Sequence, residues 1–335
     1  MISSGRVLSF PEGEITMSTP SNLNWILLNA CGAAYNVAPN TCTYKTDSTY
    51  SPNVPYTQNP GVACGGTDDI DVVTVGQVNF ASGGSGIIVA CRGTLPPSLN
   101  DPASVFDWIQ DFFAEPTTST TAPYNLPGQV HSGFLDATKT VAGQVATLVK
   151  NLNPGPNNPV YVTGHSKGGG VASLLAYVLS QNMGIPNVQP LVTFASPKPG
   201  DAGFQAGFQS VLSQTRFENY DDIVPLLPPS TSFISLVVSV LKLIPYIGQE
   251  LAKLFQEAEN WNYVAVGSQE FVTSNFQIVP NYSVELQTLD VVWEFGTDLY
   301  HEDFSSFAEA HSLAPGGGYN SALKPAQAAE AAAGA

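Results

Sequence analysis

The sequence predicts an α/β fold with one central, mostly parallel sheet flanked by helices. Three observations carry that expectation. Short β-branched runs alternate along the chain with segments of helical spacing, the order that puts helices between parallel strands. The stretch VYVTGHSKGGGVASLL, residues 160–175, passes from a strand through Gly-His-Ser-Lys-Gly straight into a helix. At 335 residues, 43% of them hydrophobic, the chain is long enough to bury a large core.

Residues 21–35, SNLNWILLNACGAAY, read as a helix with a Ser/Asn cap region. Residues 36–68 are rich in Pro, Asn, Thr and Gly and read as loop. DVVTVGQVNF and SGIIVACRGT read as successive strands. Residues 94–129 hold a Pro-rich loop, a short helix at SVFDWIQDFF and a Thr/Pro loop. GFLDATKTVAGQVATLVKNL has helical spacing and is closed by NPGPNNP. The strand VYVTG and a helix over 166–181 follow, then a strand and turn at PLVTFASPKPG and a strand at RFENYDDIVP. In SFISLVVSVLKLI, residues 232–244, the polar Ser232, Ser235, Ser239 and Lys242 form a narrow stripe on an otherwise apolar helix. With IGQELAKLFQEAE it forms a helical hairpin inserted near 230–260. Two readings stand for it: a helix packed on the core, or an apolar wall or lid over a site. The run is too short and interrupted to span a bilayer. The expected organisation is a single domain over 1–323, with a flexible Ala-rich tail at 324–335.

Composition narrows the function. Twenty-seven acidic residues face eleven basic ones, a net charge of −16, and no Lys/Arg cluster exists. Nucleic acid as partner needs a basic footprint that this chain lacks, and a polybasic membrane anchor is absent as well. MISSGRVLSFPEGEITM shows no long apolar run, so no signal peptide is visible; a secreted mature form and a cytoplasmic protein both remain open. The cysteines stand at 31, 42, 64 and 91 with no CxxC pair or His/Cys cluster, so no metal site is expected. Cys91, in an apolar run, reads as a buried thiol. Cys42 and Cys64 flank the Pro/Asn/Tyr-rich loop, and spacing alone leaves open whether they are bridged.

The pattern G-x-S-x-G at 164–168 is weak by itself, but here a strand precedes it and a helix follows. Such a turn strains the serine backbone and lifts Ser166 Oγ clear of the sheet edge at a helix N-terminus, where developing negative charge is favoured. A serine nucleophile needs a base, and the histidines are 131, 165, 301 and 311. His165, on the turn itself, reads as a structural residue. In the order Ser, acid, His, His131 comes too early, which leaves His301 and His311. Asp201, Asp221, Asp222, Asp290 and Asp298 are in range for the acid. Asp222 follows the RFENY strand and precedes a proline-fixed loop; Asp201 lies in a turn, and Asp290 reads as before or inside a strand.

Taken together, these segments resemble the class 3, fungal-type lipases of the α/β-hydrolase superfamily. The resemblance rests on IIVACRGT, DWIQD, VHSGF, VTGHSKGGGVASL, VTFASPKPGD, ENYDDIVPLLPP, YVAVGSQEF and AHSLAPGGGY, in the family's order from about residue 70 to 323. It implies an α/β-hydrolase fold and a triad of Ser166, Asp222 and His311, with His311 preferred over His301. It further implies an oxyanion hole from the backbone N–H groups of Thr94 and Lys167, with Asp111 orienting Thr94. The implied activity is carboxylic ester hydrolysis through an acyl-enzyme, as in a triacylglycerol lipase, with no cofactor, and with an acylglycerol or other ester met at a lipid–water interface. A short-chain or feruloyl-type carboxylesterase, and a catalytically silent binding module on the same fold, are the alternatives. Some positions depart from the family. Residues 94–108, in the family's lid region, are long and proline-rich, so 95–113 and 230–260 are both lid candidates. Lys167 stands where a neutral residue is common, and its ammonium group is expected to pair with Asp107 or Asp111.

Overall fold

The computed structural model describes residues 22–325 apart from positions 39, 68, 69, 96, 98–101, 230–233, 235, 236, 240, 243–246 and 302. The expectations for the first 21 residues, for the tail beyond 325 and for much of the 232–244 run lie outside the described residues.

Helix α1 (Asn22–Ala34) is buried from Ile26 onward. A small antiparallel pair follows, β1 (Val37–Ala38) with β2 (Thr43–Tyr44). The central sheet begins with β3 (Gly61–Gly65), β4 (Asp71–Asn79) and β5 (Ser85–Cys91), all antiparallel neighbours. Then come α2 (Pro102–Gln110), the short pair β6 (Pro116–Thr118) and β7 (Gln129–His131), and the long helix α3 (Ser132–Asn151). The alternation proper is β8 (Val160–His165), α4 (Lys167–Tyr177), β9 (Leu191–Phe194), α5 (Ala202–Gln209) and β10 (Gln214–Asn219). Helix α6 (Ile247–Glu257), strands β11 (Ser268–Val272) and β12 (Ile278–Pro280), and helices α7 (Val284–His301), α8 (Ser305–His311) and α9 (Gly318–Leu323) complete the described elements.

The eight-stranded sheet has the order β12-β11-β10-β9-β8-β5-β4-β3. The four pairings from β5 to β11 are parallel, and the outer ones are antiparallel. Strand β8 therefore lies near the middle, with its carboxyl end at the edge where ligands bind in open α/β sheets. Alternation along each strand feeds two apolar layers. Ile87, Val89 and Cys91 of β5 face a core with α3, α4 and α5, while Ile88 and Ala90 face α1 and α9.

Two regions differ from the sequence reading. The stretch 36–68 holds β1, β2 and the edge strand β3, whose Gly61 and Gly65 disguise it; its pairing is imposed by β4. Cys42 and Cys64 are joined as a disulfide across this excursion, while Cys31 and Cys91 are buried free thiols. Asp290 lies on helix α7, not in or before a strand. In the 230–260 insertion, Ile234, Val237, Val238 and Leu241 are helical and buried in the main core. Helix α6 adds Leu251, Ala252 and Phe255 to the same core, so the described residues follow the core-packed reading.

Candidate active site

Ser166 occupies the turn between β8 and α4 with φ 58° and ψ −138°. A non-glycine residue with positive φ is held there only by its surroundings. Two contacts hold it: Ser166 N–H donates to the Phe194 carbonyl at 3.1 Å, and Gly169 N–H donates to the Ser166 carbonyl at 2.7 Å. The turn is too tight for a side chain at 164, where a Cβ would strike the Gly168 carbonyl. A Cβ at Gly93 would come within 2.7 Å of Ser166 Cβ, so the backbone leading into Thr94 runs directly beside the serine.

His311 ends helix α8, and its Nδ1 lies 3.0 Å from each carboxylate oxygen of Asp222. Asp222 is fully buried in the loop after β10. Its Oδ1 also accepts the Val224 N–H at 3.0 Å, and its Oδ2 accepts the Tyr319 hydroxyl at 2.7 Å. Tyr319 in turn accepts Asn219 N–H at 2.9 Å, and Asn219 Nδ2 donates to the Ala310 carbonyl at 2.8 Å. These bonds tie the end of β10 to the helix that carries His311. With Nδ1–H directed at Asp222, the lone pair of His311 faces out from Nε2. His311 Nε2 and Ser166 Oγ are both shut away from solvent, and neither makes a hydrogen bond. Catalytic hydrogen bonds often tighten only when substrate is bound.

His165 does more than shape the turn. Its Nε2 donates to the His311 carbonyl at 2.8 Å, and its Nδ1 accepts the Tyr35 hydroxyl at 2.8 Å. Burial holds its pKa well below the ordinary histidine value, which keeps the ring neutral for this donor–acceptor pattern. Tyr35 just after α1, His165 on β8 and His311 on α8 are thereby linked by hydrogen bonds. Trp108 and Phe307 hold the His311 ring from its edge and face, at centroid distances of 5.2 and 6.1 Å. His131 caps α3 and donates from Nε2 to the Phe112 carbonyl at 3.1 Å; burial lowers its pKa to about 4. Asp201 caps α5, and His301 lies exposed at the end of α7.

The backbone of Lys167 opens helix α4, so its N–H has no partner within the helix. Its ammonium group pairs with Asp71 at 2.8 Å, which corrects the expected partner. Asp107 on α2 and Asp111 just after it are exposed. Asp71 opens β4, and because β4 runs antiparallel to β5 its first residue lies at the sheet edge where β5 and β8 end. Asp111 departs from expectation as well. The Thr94 hydroxyl is buried and makes no hydrogen bond, so Asp111 does not hold it in this structure. Desolvation raises the Asp111 pKa, against the pull of the Lys167 ammonium.

A cavity of about 430 Å³ opens beside these groups, lined among others by Tyr35, Tyr50, Thr94, Trp108, Phe307 and Leu313. Tyr35, Tyr50 and Trp108 were not singled out for this role by the sequence, although Trp108 sits in a family-like segment. Among the described residues no group of three His, Cys, Asp or Glu side chains is placed to hold a metal.

The sheet order and the strained serine turn place the chain among the α/β-hydrolases. Solved structures agree on the fold. The native propeptide complex of Rhizomucor miehei lipase superposes with a TM-score of 0.55 at 22% identity, covering 81% of this chain and 76% of that one. A triacylglycerol lipase described as having a serine protease triad at its catalytic centre gives 0.53 at 22% identity, covering 87% of this chain and 95% of that one. Residues 88–232 match the model of the family Lipase (class 3), and the chain belongs to that family. Secreted mono- and diacylglycerol lipase 1 of Fusarium solani is 32% identical over 238 residues, 67% of this chain and 63% of the relative. Lipase of Rhizomucor miehei is 34% identical over 137 residues, 38% of this chain and 36% of the relative. The chain thus spans less than two thirds of the length of these curated relatives.

Proposed function

We propose that the chain is a carboxylic ester hydrolase, a lipase acting on acylglycerols, with Ser166 as nucleophile, His311 as base and Asp222 as the triad acid. The observation that carries this reading is the His311–Asp222 pair: a carboxylate bonded to Nδ1 fixes the tautomer whose Nε2 accepts a proton. His311 takes the Ser166 proton as Oγ attacks the ester carbonyl carbon. The N–H groups of Thr94 and Lys167 hold the oxyanion, beside the serine and at a helix N-terminus respectively. His311 returns the proton to the departing alcohol oxygen, and the acyl group stays on Ser166. Water then attacks the acyl-enzyme, with His311 again as base, and the fatty acid leaves. Asp111 keeps an orienting role only if substrate draws it to Thr94.

The apolar, aromatic cavity favours acyl chains over a compact polar acyl group, which supports a lipase before a short-chain esterase. Pro97 and Trp108 on its wall support 95–113 as the lid region. One apolar core running from Ala63 to Phe307 supports a single domain. The Cys42–Cys64 disulfide and relatives named as secreted lipases support a secreted protein; among the described residues, no helix is long and apolar enough to cross a membrane.

The test is Ser166→Ala with 4-nitrophenyl butyrate, together with labelling of the parent by a fluorophosphonate. Turnover should fall by at least ~10³-fold and labelling should vanish in the variant. Full activity in a folded Ser166→Ala protein, or no labelling of the parent, ends this reading.

A further inference from the structure

Helix α7 (Val284–His301) is apolar on two opposite faces. At about 100° per residue, Thr288, Val291, Val292 and Phe295 gather on one side and are buried. On the opposite side Leu286, Leu289, Trp293 and Tyr300 fall within an arc of about 60°. Their exposures are 39%, 49%, 71% and 69%. A surface helix ordinarily shows polar residues there. Among the described residues, the other exposed large apolar side chains away from this helix, Ile70, Leu95, Val211 and Phe276, lie in separate loops.

We infer that the Leu286–Leu289–Trp293–Tyr300 face docks the protein onto an uncharged acylglycerol surface, the bulk lipid phase that supplies the cavity. This rests on the lipase reading above. Position supports it: on the inner side of the same helix Phe295 meets Phe307 at 6.0 Å, and Phe307 stacks on His311. Phe307 also lines the cavity, so α7, Phe295 and Phe307 connect the docking face to the proposed chemistry.

Charge decides the occupant. Helix α7 carries Glu285, Asp290, Glu294 and Asp298 and no Lys or Arg, on a chain of net charge −16. A second copy would bring the same acids against these, and an anionic bilayer would be repelled. A neutral lipid surface meets neither penalty. Partial burial raises the Asp290, Glu294 and Asp298 carboxyls from their ordinary values, the direction in which an apolar phase also acts. Trp and Tyr suit a boundary that is apolar on one side and wet on the other.

The test uses the full chain and the triple variant Leu286→Ser/Leu289→Ser/Trp293→Ser, with triolein droplets and soluble 4-nitrophenyl butyrate. Partitioning onto droplets and turnover at droplets should fall at least ~100-fold, while turnover of the soluble ester stays at the parent level. If the parent has no esterase activity, the catalytic reading fails, and the partition measurement still decides the docking face. Trp293→Asp alone, at the most exposed position, should lower partitioning in the same direction if the triple variant does not fold. Parent-level partitioning in either folded variant overturns the inference. So does a parent that sediments as a dimer and a variant that sediments as a monomer, which would make the face a contact between copies.

Discussion

Asp71→Asn isolates what the charge beside the serine does. In the structure Lys167 Nζ meets Asp71 Oδ1 at 2.8 Å, with side chains only 20% and 11% exposed. Exposed ion pairs contribute about 0–1 kcal/mol, whereas hydrogen bonds to charged groups away from water contribute about 1.5–3 kcal/mol. The burial puts this pair in the second group. Asp71→Asn strands the Lys167 ammonium and should cost about 2 kcal/mol of stability, or roughly 3 °C in the melting temperature for a chain of this length. Adding Lys167→Met to Asp71→Asn removes the stranded charge and should recover most of that loss. The backbone N–H of Lys167, not its ammonium group, is the proposed oxyanion donor. Turnover of 4-nitrophenyl butyrate by Asp71→Asn should therefore stay within about threefold of the parent, since losing an oxyanion donor costs ~10²–10³-fold. Thermal melts and initial rates on the same preparations give both numbers. A ~100-fold loss of turnover with an unchanged melting temperature would refute the reasoning, because the pair would then act on the chemistry and not on the fold.

Two further outcomes follow from the walls of the site. The Tyr50 ring packs against Gly32 and borders the cavity, so Tyr50→Ala should shift the preferred acyl chain to longer esters, by about fourfold in kcat/KM for each methylene that gains an apolar wall; a uniform loss across chain lengths speaks against this. His131 has a folded pKa of about 4, below its unfolded value near 6.5, so the native state stays neutral while the unfolded chain takes up a proton. The sign is then fixed: stability is intact above about pH 6.5 and falls as the pH drops toward 4, by about 3 kcal/mol from this residue, with His165 acting in the same direction. His131→Asn, which keeps a capping side chain, should flatten that slope in urea titrations at pH 7 and 4.5; an unaltered slope would assign it elsewhere.

What could be read from the sequence, and what could not, divides along a physical line. The Ser166 turn was legible because strand, glycine, serine and helix are covalent neighbours, and the backbone strain is local to them. Chain order narrowed the partners of such a serine to five acids and two histidines, and the family resemblance chose Asp222 and His311, which the structure brings to 3.0 Å of each other. The partner of Lys167 was not, since Asp71 reaches it only through the antiparallel register of β4 on β5, 96 residues away in sequence. The bonds of Tyr35 and Tyr319 likewise span 130 and 97 residues and leave no periodic trace. The misread helix is the most telling case. Periodicity reveals a helix when one face is apolar and the other polar. In α7 the exposed Leu286, Leu289, Trp293 and Tyr300 interleave with the buried Val291, Val292 and Phe295, and the two sets together blur the period of 3.6. Asp290 therefore read as part of a strand for the same reason that the helix now stands out: its outward face keeps an apolar stripe that folding of this chain does not bury.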